Sequence, residues 1–171
     1  QRTRAGGGWT AFHPASAQPP PALVRWLGAW KNWLSKASSR HLAALLSLPE
    51  SSTLISGKRA GKLIALNKLR NWHPTIEPQE ILHRLEGSDD EDRVALHAAV
   101  ASLSARRDHF LRSAFPEAIT SHLRELGTDG DASAALISRI DDFLAAASPV
   151  LARINRNNIF WLQILLSELP A

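Results

Sequence analysis

The spacing of apolar residues predicts helices along most of the chain. Leucines and tryptophans recur every three or four residues over 23–36, which is the period of an amphipathic helix. Further helices are predicted at 40–48 and 57–73, each followed by a proline that cannot continue it. No segment alternates apolar and polar residues as a half-buried strand does. We therefore expect an all-α fold, a compact multi-helix bundle of about seven to nine helices.

Turn and cap signals continue this pattern into the second half of the chain. Pro78 suits a first helical turn and Gly87 suits a helix end, so a helix is predicted between them. The segment Ser88–Glu91 has the spacing of a capping box and opens a helix that runs to about Arg112. The apolar residues predicted to be buried along it are Leu96, Val100, Leu103, Phe110 and Leu111. Its acidic residues are explained by this helix start, because carboxylates are favourable near a helix N-terminus.

The last helix is predicted from a second start signal and a nearly continuous apolar run. Helices are expected at 116–126 and 132–147, after which Ser148 and Pro149 have the character of an N-cap and first residue of another helix. Within 159–169 the polar residues are Gln163, Ser167 and Glu168. A helix that is apolar on nearly every face is buried on more than one side. We expect it at the centre of the bundle or at a subunit interface.

Three tryptophans lie on one stripe of the first helix, at positions 26, 30 and 33. Such a stripe can stack on nucleic-acid bases. More often it belongs to the core, because each tryptophan buries a large apolar area. We favour the core interpretation. The cations of this segment lie off the stripe and are expected to face solvent: Arg25, Lys31 and Lys36.

Residues 1–21 are predicted to form an arm ahead of a single helical domain, residues 22–171. A triglycine gives the arm a flexible portion and a triproline gives it a stiff, extended one. Trp9 and Phe12 are unusual in a linker. They either pack back onto the domain, which we favour, or anchor the arm on a partner.

The composition narrows the class of protein. The chain has no cysteine, which excludes a disulfide framework and thiolate chemistry and fits a reducing compartment. No apolar run approaches the roughly 18 residues of a membrane helix. The first residues also lack the apolar core of a signal peptide. We expect a cytoplasmic protein without a membrane partner.

The charge is distributed unevenly between the two halves of the chain. Residues 1–76 hold eleven Lys or Arg against one carboxylate, Glu50, a net charge of +10. Residues 77–171 hold nine against fifteen, a net charge of −6. Such asymmetry suggests that the basic half, 22–76, meets a polyanion. The alternative is that it pairs with the acidic half of the same molecule or of a neighbouring subunit.

The densest basic segment is Gly57–His73, the first choice for phosphate contact. It is not a phosphate-cradling loop, because Ser52 and Arg59 stand where that motif needs Gly and Ser or Thr. A merely solvated helix face remains the alternative. The leucines at 63, 66 and 69 are predicted to face the core and the cations to face out. The candidate nucleic-acid-binding residues are Arg25, Lys31, Lys36, Arg40, Lys58, Arg59, Lys62, Lys68 and Arg70.

Motifs of catalysis and metal binding are missing from the sequence. None of the seven histidines has another histidine three or four residues away, and no zinc-protease or nucleophile-elbow motif is present. The histidines are expected at the surface or at the edge of the core. We therefore expect no enzymatic activity, no metal and no cofactor.

The last third of the chain resembles the helical collar domain of bacterial DNA polymerase clamp-loader subunits of the delta-prime kind. The resemblance rests on Asn155-x-Asn157, then Leu162-Gln163-x-Leu165-Leu166 and Leu169, with Arg106-Arg107-Asp108-x-x-Leu111 upstream. Gln163 stands where the family typically has Glu, and the similarity covers roughly 101–169. It implies helix packing around a ring without nucleotide binding. The implied subunit-interface residues are Asn155, Asn157, Phe160, Trp161 and Leu165.

Three hypotheses of function follow. The first is a non-enzymatic helical subunit of a nucleic-acid-handling assembly, in which the last helix packs against other subunits and the basic half faces DNA or RNA. The second is a nucleic-acid-binding helical small subunit of a ribonucleoprotein effector such as a CRISPR complex. The third is an interaction module that binds an acidic protein. The first two predict salt-sensitive binding to nucleic acid, and the third does not.

Overall fold

The computed structural model describes residues 21–54, 59–127 and 131–169. These ranges are helical and contain no strand, so the predicted all-α fold is confirmed. The predicted arm, with Trp9 and Phe12, lies outside the described residues apart from Pro21. The helices are α1 (Pro21–Ser35), α2 (Ser39–Leu46), α3 (Ser51–Leu54), α4 (Arg59–Arg70), α5 (Pro78–Leu85), α6 (Glu91–Arg112), α7 (Phe115–Glu125), α8 (Asp131–Arg153) and α9 (Asn158–Glu168).

Helix α1 lies at the centre of the bundle. It contacts α2, α6 and α9, and its inward stripe is completely buried: Trp26, Leu27, Trp30, Trp33 and Leu34. The core interpretation of the three tryptophans is therefore confirmed. Their rings have no exposed face on which a base can stack.

Helix α6 is the second axis of the fold. It packs against α4, α5 and α7 and buries Leu96, Val100, Leu103 and Phe110, as its apolar spacing predicts. Its N-cap is Asp90, whose side chain accepts a hydrogen bond from the Asp92 amide at 2.9 Å. The capping-box prediction had placed the N-cap at Ser88, two residues early.

Arg107 of α6 ties the two central helices together. Its Nε donates to the carbonyl of Trp33 at 2.9 Å and its Nη2 donates to the carbonyl of Leu34 at 2.7 Å. These are C-terminal carbonyls of α1, which have no partner within the helix. A cation is also favourable at the negative end of the helix dipole. Arg107 therefore caps the C-terminal end of α1.

The apolar last helix packs within the chain's own bundle. Helix α9 contacts α1, α6 and α7 and buries Trp161, Leu162 and Leu165. Ile159, Phe160, Ile164 and Leu166 are only partly covered. The helix thus lies beside the centre of the fold, which α1 occupies.

The predicted helix start at Ser148 and Pro149 is wrong. Helix α8 runs without interruption from Asp131 through Pro149 to Arg153. A proline inside a helix removes one backbone hydrogen bond, and here the surrounding positions face solvent, so water can satisfy the freed carbonyl. The chain breaks instead at 154–157. Asn157 is the N-cap of α9 and accepts a hydrogen bond from the Phe160 amide at 2.9 Å.

Candidate nucleic-acid interface

The predicted cations of the basic half lie on three helices and their ends. Arg25, Lys36, Arg40 and Arg70 are exposed, and Lys31 and Lys68 are partly buried. Lys58 and the side chain of Arg59 lie outside the described residues. Hereafter, the front cations are Arg25, Lys31, Lys36, Arg40, Lys68 and Arg70.

The front cations have no carboxylate partner among the described residues. Acidic side chains of the other half pair with nearby basic groups of that same half. Glu80 accepts from Arg84 at 2.9 Å, and Arg106 pairs with Glu125. Intramolecular neutralisation, the alternative to a polyanion partner, therefore has no ion pair to support it for these six cations.

Hydrogen bonds bring the start of α2 against the segment that follows α4. The Ser39 amide donates to the carbonyl of Ile76 at 2.8 Å, and the Arg40 amide donates to that of Pro74 at 3.1 Å. His41 Nδ1 donates to the Lys36 carbonyl at 2.7 Å. This corner of the molecule, residues 36–41 and 73–76, presents two front cations. Its arrangement is fixed by main-chain bonds rather than by side-chain ion pairs.

The side chain of Lys62 does not face out into solvent as predicted. Its side chain is partly buried, and its Nζ donates to the Leu48 carbonyl at 2.8 Å and to Ser52 Oγ at 3.4 Å. Leu66 and Leu69 are buried as predicted, but Leu63, predicted to face the core, is 48% exposed and Ala65 is buried instead. The buried side of α4 is the one that packs against α2 and α6. Lys62 therefore joins α4 to the loop after α2.

The residues implied as a subunit interface fall into two groups. Trp161 and Leu165 are buried against the chain's own helices, so they offer no free surface to another subunit. Asn155 is exposed, Asn157 caps α9, and Phe160 is partly exposed. Asn155 and Asn157 border a groove beside the α8–α9 link.

Among the described residues, the most buried ionisable side chain belongs to a histidine, a residue type predicted at the surface or at the edge of the core. His122 is 3% exposed, accepts a hydrogen bond at Nε2 from Trp26 Nε1 at 2.9 Å and stacks on Trp30 with ring centres 4.3 Å apart. Burial, and then the positive charge of Arg106, lowers the pKa of His122 to about 3. The ring is neutral at physiological pH. It is an element of the core and does not serve the interface.

A sequence signal for this position exists. Phe115, Ala118, Ile119, His122 and Leu126 share the helical spacing of a buried face. A histidine on that spacing belongs inside the bundle. The prediction was wrong because it considered where histidines usually lie and not the position of His122 on the buried face of α7.

The described part of the chain shows neither a metal-type cluster nor a membrane-length apolar helix. No group of three or more His, Cys, Asp or Glu side chains there is arranged to hold a metal ion. No helix in the same residues is long and apolar enough to span a bilayer. No protein-family model, curated protein or solved structure matches the chain.

Proposed function

We propose that this protein is a non-enzymatic helical subunit of a nucleic-acid-handling assembly, and that the front cations contact phosphate groups. The observation that carries the proposal is the absence of carboxylate partners for those six side chains within the described residues. Unpaired cations at a surface attract a polyanion and release its counterions on contact. The same half of the chain supplies only one acid, Glu50, to oppose them.

The assembly part of the proposal rests on the resemblance of 101–169 to a clamp-loader collar. Asn155, Phe160 and the exposed side of α9 are the surface through which such a subunit would meet its neighbours. The binding part does not depend on this resemblance. A small helical subunit of a ribonucleoprotein would use the front cations in the same way.

The test is binding of a fluorescently labelled oligonucleotide by variants with equal net charge. The front variant is Arg40→Glu with Arg70→Glu. The control is Arg93→Glu with Arg124→Glu, which reverses two exposed arginines of the acidic half. The front variant should bind at least about tenfold more weakly than the control, since each phosphate contact contributes a salt-dependent part of the affinity. Equal affinities of the two variants would contradict the proposal.

An acidic protein partner is the competing function. It requires the same unpaired cations but no affinity for nucleic acid. Failure of the wild-type protein to bind DNA or RNA at low salt would favour it over the proposal.

A further inference from the structure

A groove lies where the α6–α7 junction faces the α8–α9 link, far along the chain from the front cations. Three arginines line it: Arg112 at the end of α6, Arg153 at the end of α8, and Arg156 in the link. We call it the arginine groove. Two asparagines of the link, Asn155 and Asn157, line it as well.

The charge of this groove runs against the composition of its half of the chain. Residues 77–171 carry fifteen acids and nine bases, yet none of the described residues that line the groove is acidic. All three arginines are exposed, and none pairs with a carboxylate among the described residues. Folding therefore concentrates positive charge at one place in an otherwise negative half.

The walls of the groove are held by specific contacts. Asn158, which is 6% exposed, donates from Nδ2 to the carbonyls of Phe110 and Ser113, both at 2.6 Å. These bonds fix the start of α9 against the end of α6. The guanidinium of Arg156 lies over the ring of Phe160 at 4.7 Å. The two sides of the groove, and one of its arginines, are thus positioned before any ligand binds.

We infer that the arginine groove binds the phosphodiester backbone of a nucleic acid strand. The planar guanidinium fork matches a phosphate group better than an ammonium does. Asparagine side chains are suited to the sugar and base atoms next to the phosphates. The groove has a volume of about 1100 Å³, at the upper end of ordinary small-molecule pockets. A strand fills such a space, and a lone anion does not.

An acidic amphipathic peptide suits the groove less well. Such a peptide needs an exposed apolar floor on which to bury its own apolar face. The aromatic lining residues Phe115 and Trp161 are 3% and 5% exposed. Ile154 is 46% exposed, and the lining residues Leu111, Leu144 and Leu151 are half-buried. The accessible lining is therefore mixed: it has apolar surface but no open aromatic floor, and its three exposed arginines give it a positive charge.

The inference rests on the proposed function, because it adds a second nucleic-acid contact to that of the front cations. The test therefore measures the two contacts separately. The affinity of a labelled single-stranded oligonucleotide is measured against salt for the wild type, the front variant and a groove variant, Arg112→Ala with Arg153→Ala and Arg156→Ala. The groove variant should bind at least about tenfold more weakly, and its log–log salt slope should be shallower by about 2, because each lost contact on a single strand contributes about 0.7.

Each outcome decides one of the two claims. If the groove variant binds as the wild type does while the front variant binds more weakly, the groove inference is overturned and the proposed function stands. If neither variant differs from the wild type, or the wild type does not bind, both are overturned. Binding of poly-glutamate by the wild type but not by the groove variant, with equal strand affinity of the two proteins, would overturn the inference and assign the groove to an acidic protein. Arg153→Gln alone, expected to lose about one contact, serves if the triple variant unfolds.

Discussion

Single polar residues inside the bundle decide much of its stability. His122 and Asn158 are both buried. His122 accepts a hydrogen bond from Trp26, and Asn158 donates one to the carbonyl of Phe110. Loss of one partner of a buried hydrogen bond costs more than the bond itself contributes, because the remaining group stays desolvated. Substitutions at these two positions are therefore expected to act strongly, unlike substitutions at exposed residues of the same type.

The stability of the protein should depend on the protonation of His122. Its pKa in the folded protein is lowered to about 3, whereas an unfolded histidine titrates near 6.5. The unfolded state therefore binds the extra proton between these values, so stability falls as the pH drops below about 6.5. The loss from this residue approaches roughly 5 kcal/mol near pH 3, since one pKa unit corresponds to about 1.4 kcal/mol.

Urea unfolding from pH 7 to pH 4 measures this effect. His122→Gln keeps an acceptor for Trp26 but has no proton to gain, so its unfolding free energy should depend less on pH than that of the wild type. His109→Gln, at an exposed position, should retain the wild-type slope. Parallel curves for the wild type and the His122 variant would refute the assignment.

Asn158→Ala should lower the unfolding free energy by about 1–3 kcal/mol, because two carbonyls at the end of α6 lose their donor. Asn155→Ala is the matched control, since that side chain is exposed. Chemical denaturation of both variants gives the comparison. A loss below about 0.5 kcal/mol in the Asn158 variant would mean that these bonds do not hold α9 in place.

At the scale of helices, position in the bundle overrides local signals. Lys62 is part of a basic segment, but the packing of α4 between α2 and α6 places its ammonium on the Leu48 carbonyl. Pro149 follows a serine, the usual signal of a helix start, but α8 continues through it. The unfolding free energies of variants at Lys62 and at Pro149 test these two differences between prediction and structure.

Lys62→Ala is expected to destabilise the protein by about 1 kcal/mol, because a hydrogen bond from a charged donor to a partly buried carbonyl is lost. Lys68→Ala should change stability little, since no described partner contacts that side chain. Thermal unfolding of the two variants tests the difference. Equal unfolding midpoints for the two variants would mean that the Lys62 side chain is not structural and belongs with the candidate binding residues.

Pro149→Ala should raise the unfolding free energy by about 1 kcal/mol or more, because proline inside a helix costs about 3 kcal/mol and its stiffening of the unfolded chain offsets part of that. The control is Pro116→Ala, where proline occupies the first turn of α7 and is already favourable. A destabilised Pro149 variant would indicate that a new helix begins at this residue.

At the scale of the whole molecule, some features of the fold and of the candidate site can be predicted from the sequence and others cannot. The tryptophan stripe of α1 and the apolar stripe of α6 were predicted correctly because helical periodicity is a local signal. For α4, the burial of Leu66 and Leu69 was predicted correctly and that of Leu63 was not, because the extent of the buried side depends on which helices lie on either side. The arginine groove was missed because Arg112 and Arg153 are far apart in sequence and only the packing of α8 and α9 brings them to one groove.

The charge of the two halves is the property on which the account of function depends. The front cations have no described carboxylate partner, and the arginine groove has no acidic lining residue. Both features are what the proposed anionic partner requires, because cations that were already paired with carboxylates of the other half would be less available to it.

The most direct measurement is the affinity of the unmodified protein for a single-stranded oligonucleotide over a range of salt concentrations. We predict a linear plot of log K against log salt with a slope of about −2 or steeper, corresponding to three or more phosphate contacts. Undetectable binding at low salt, or a slope near zero, would contradict the account.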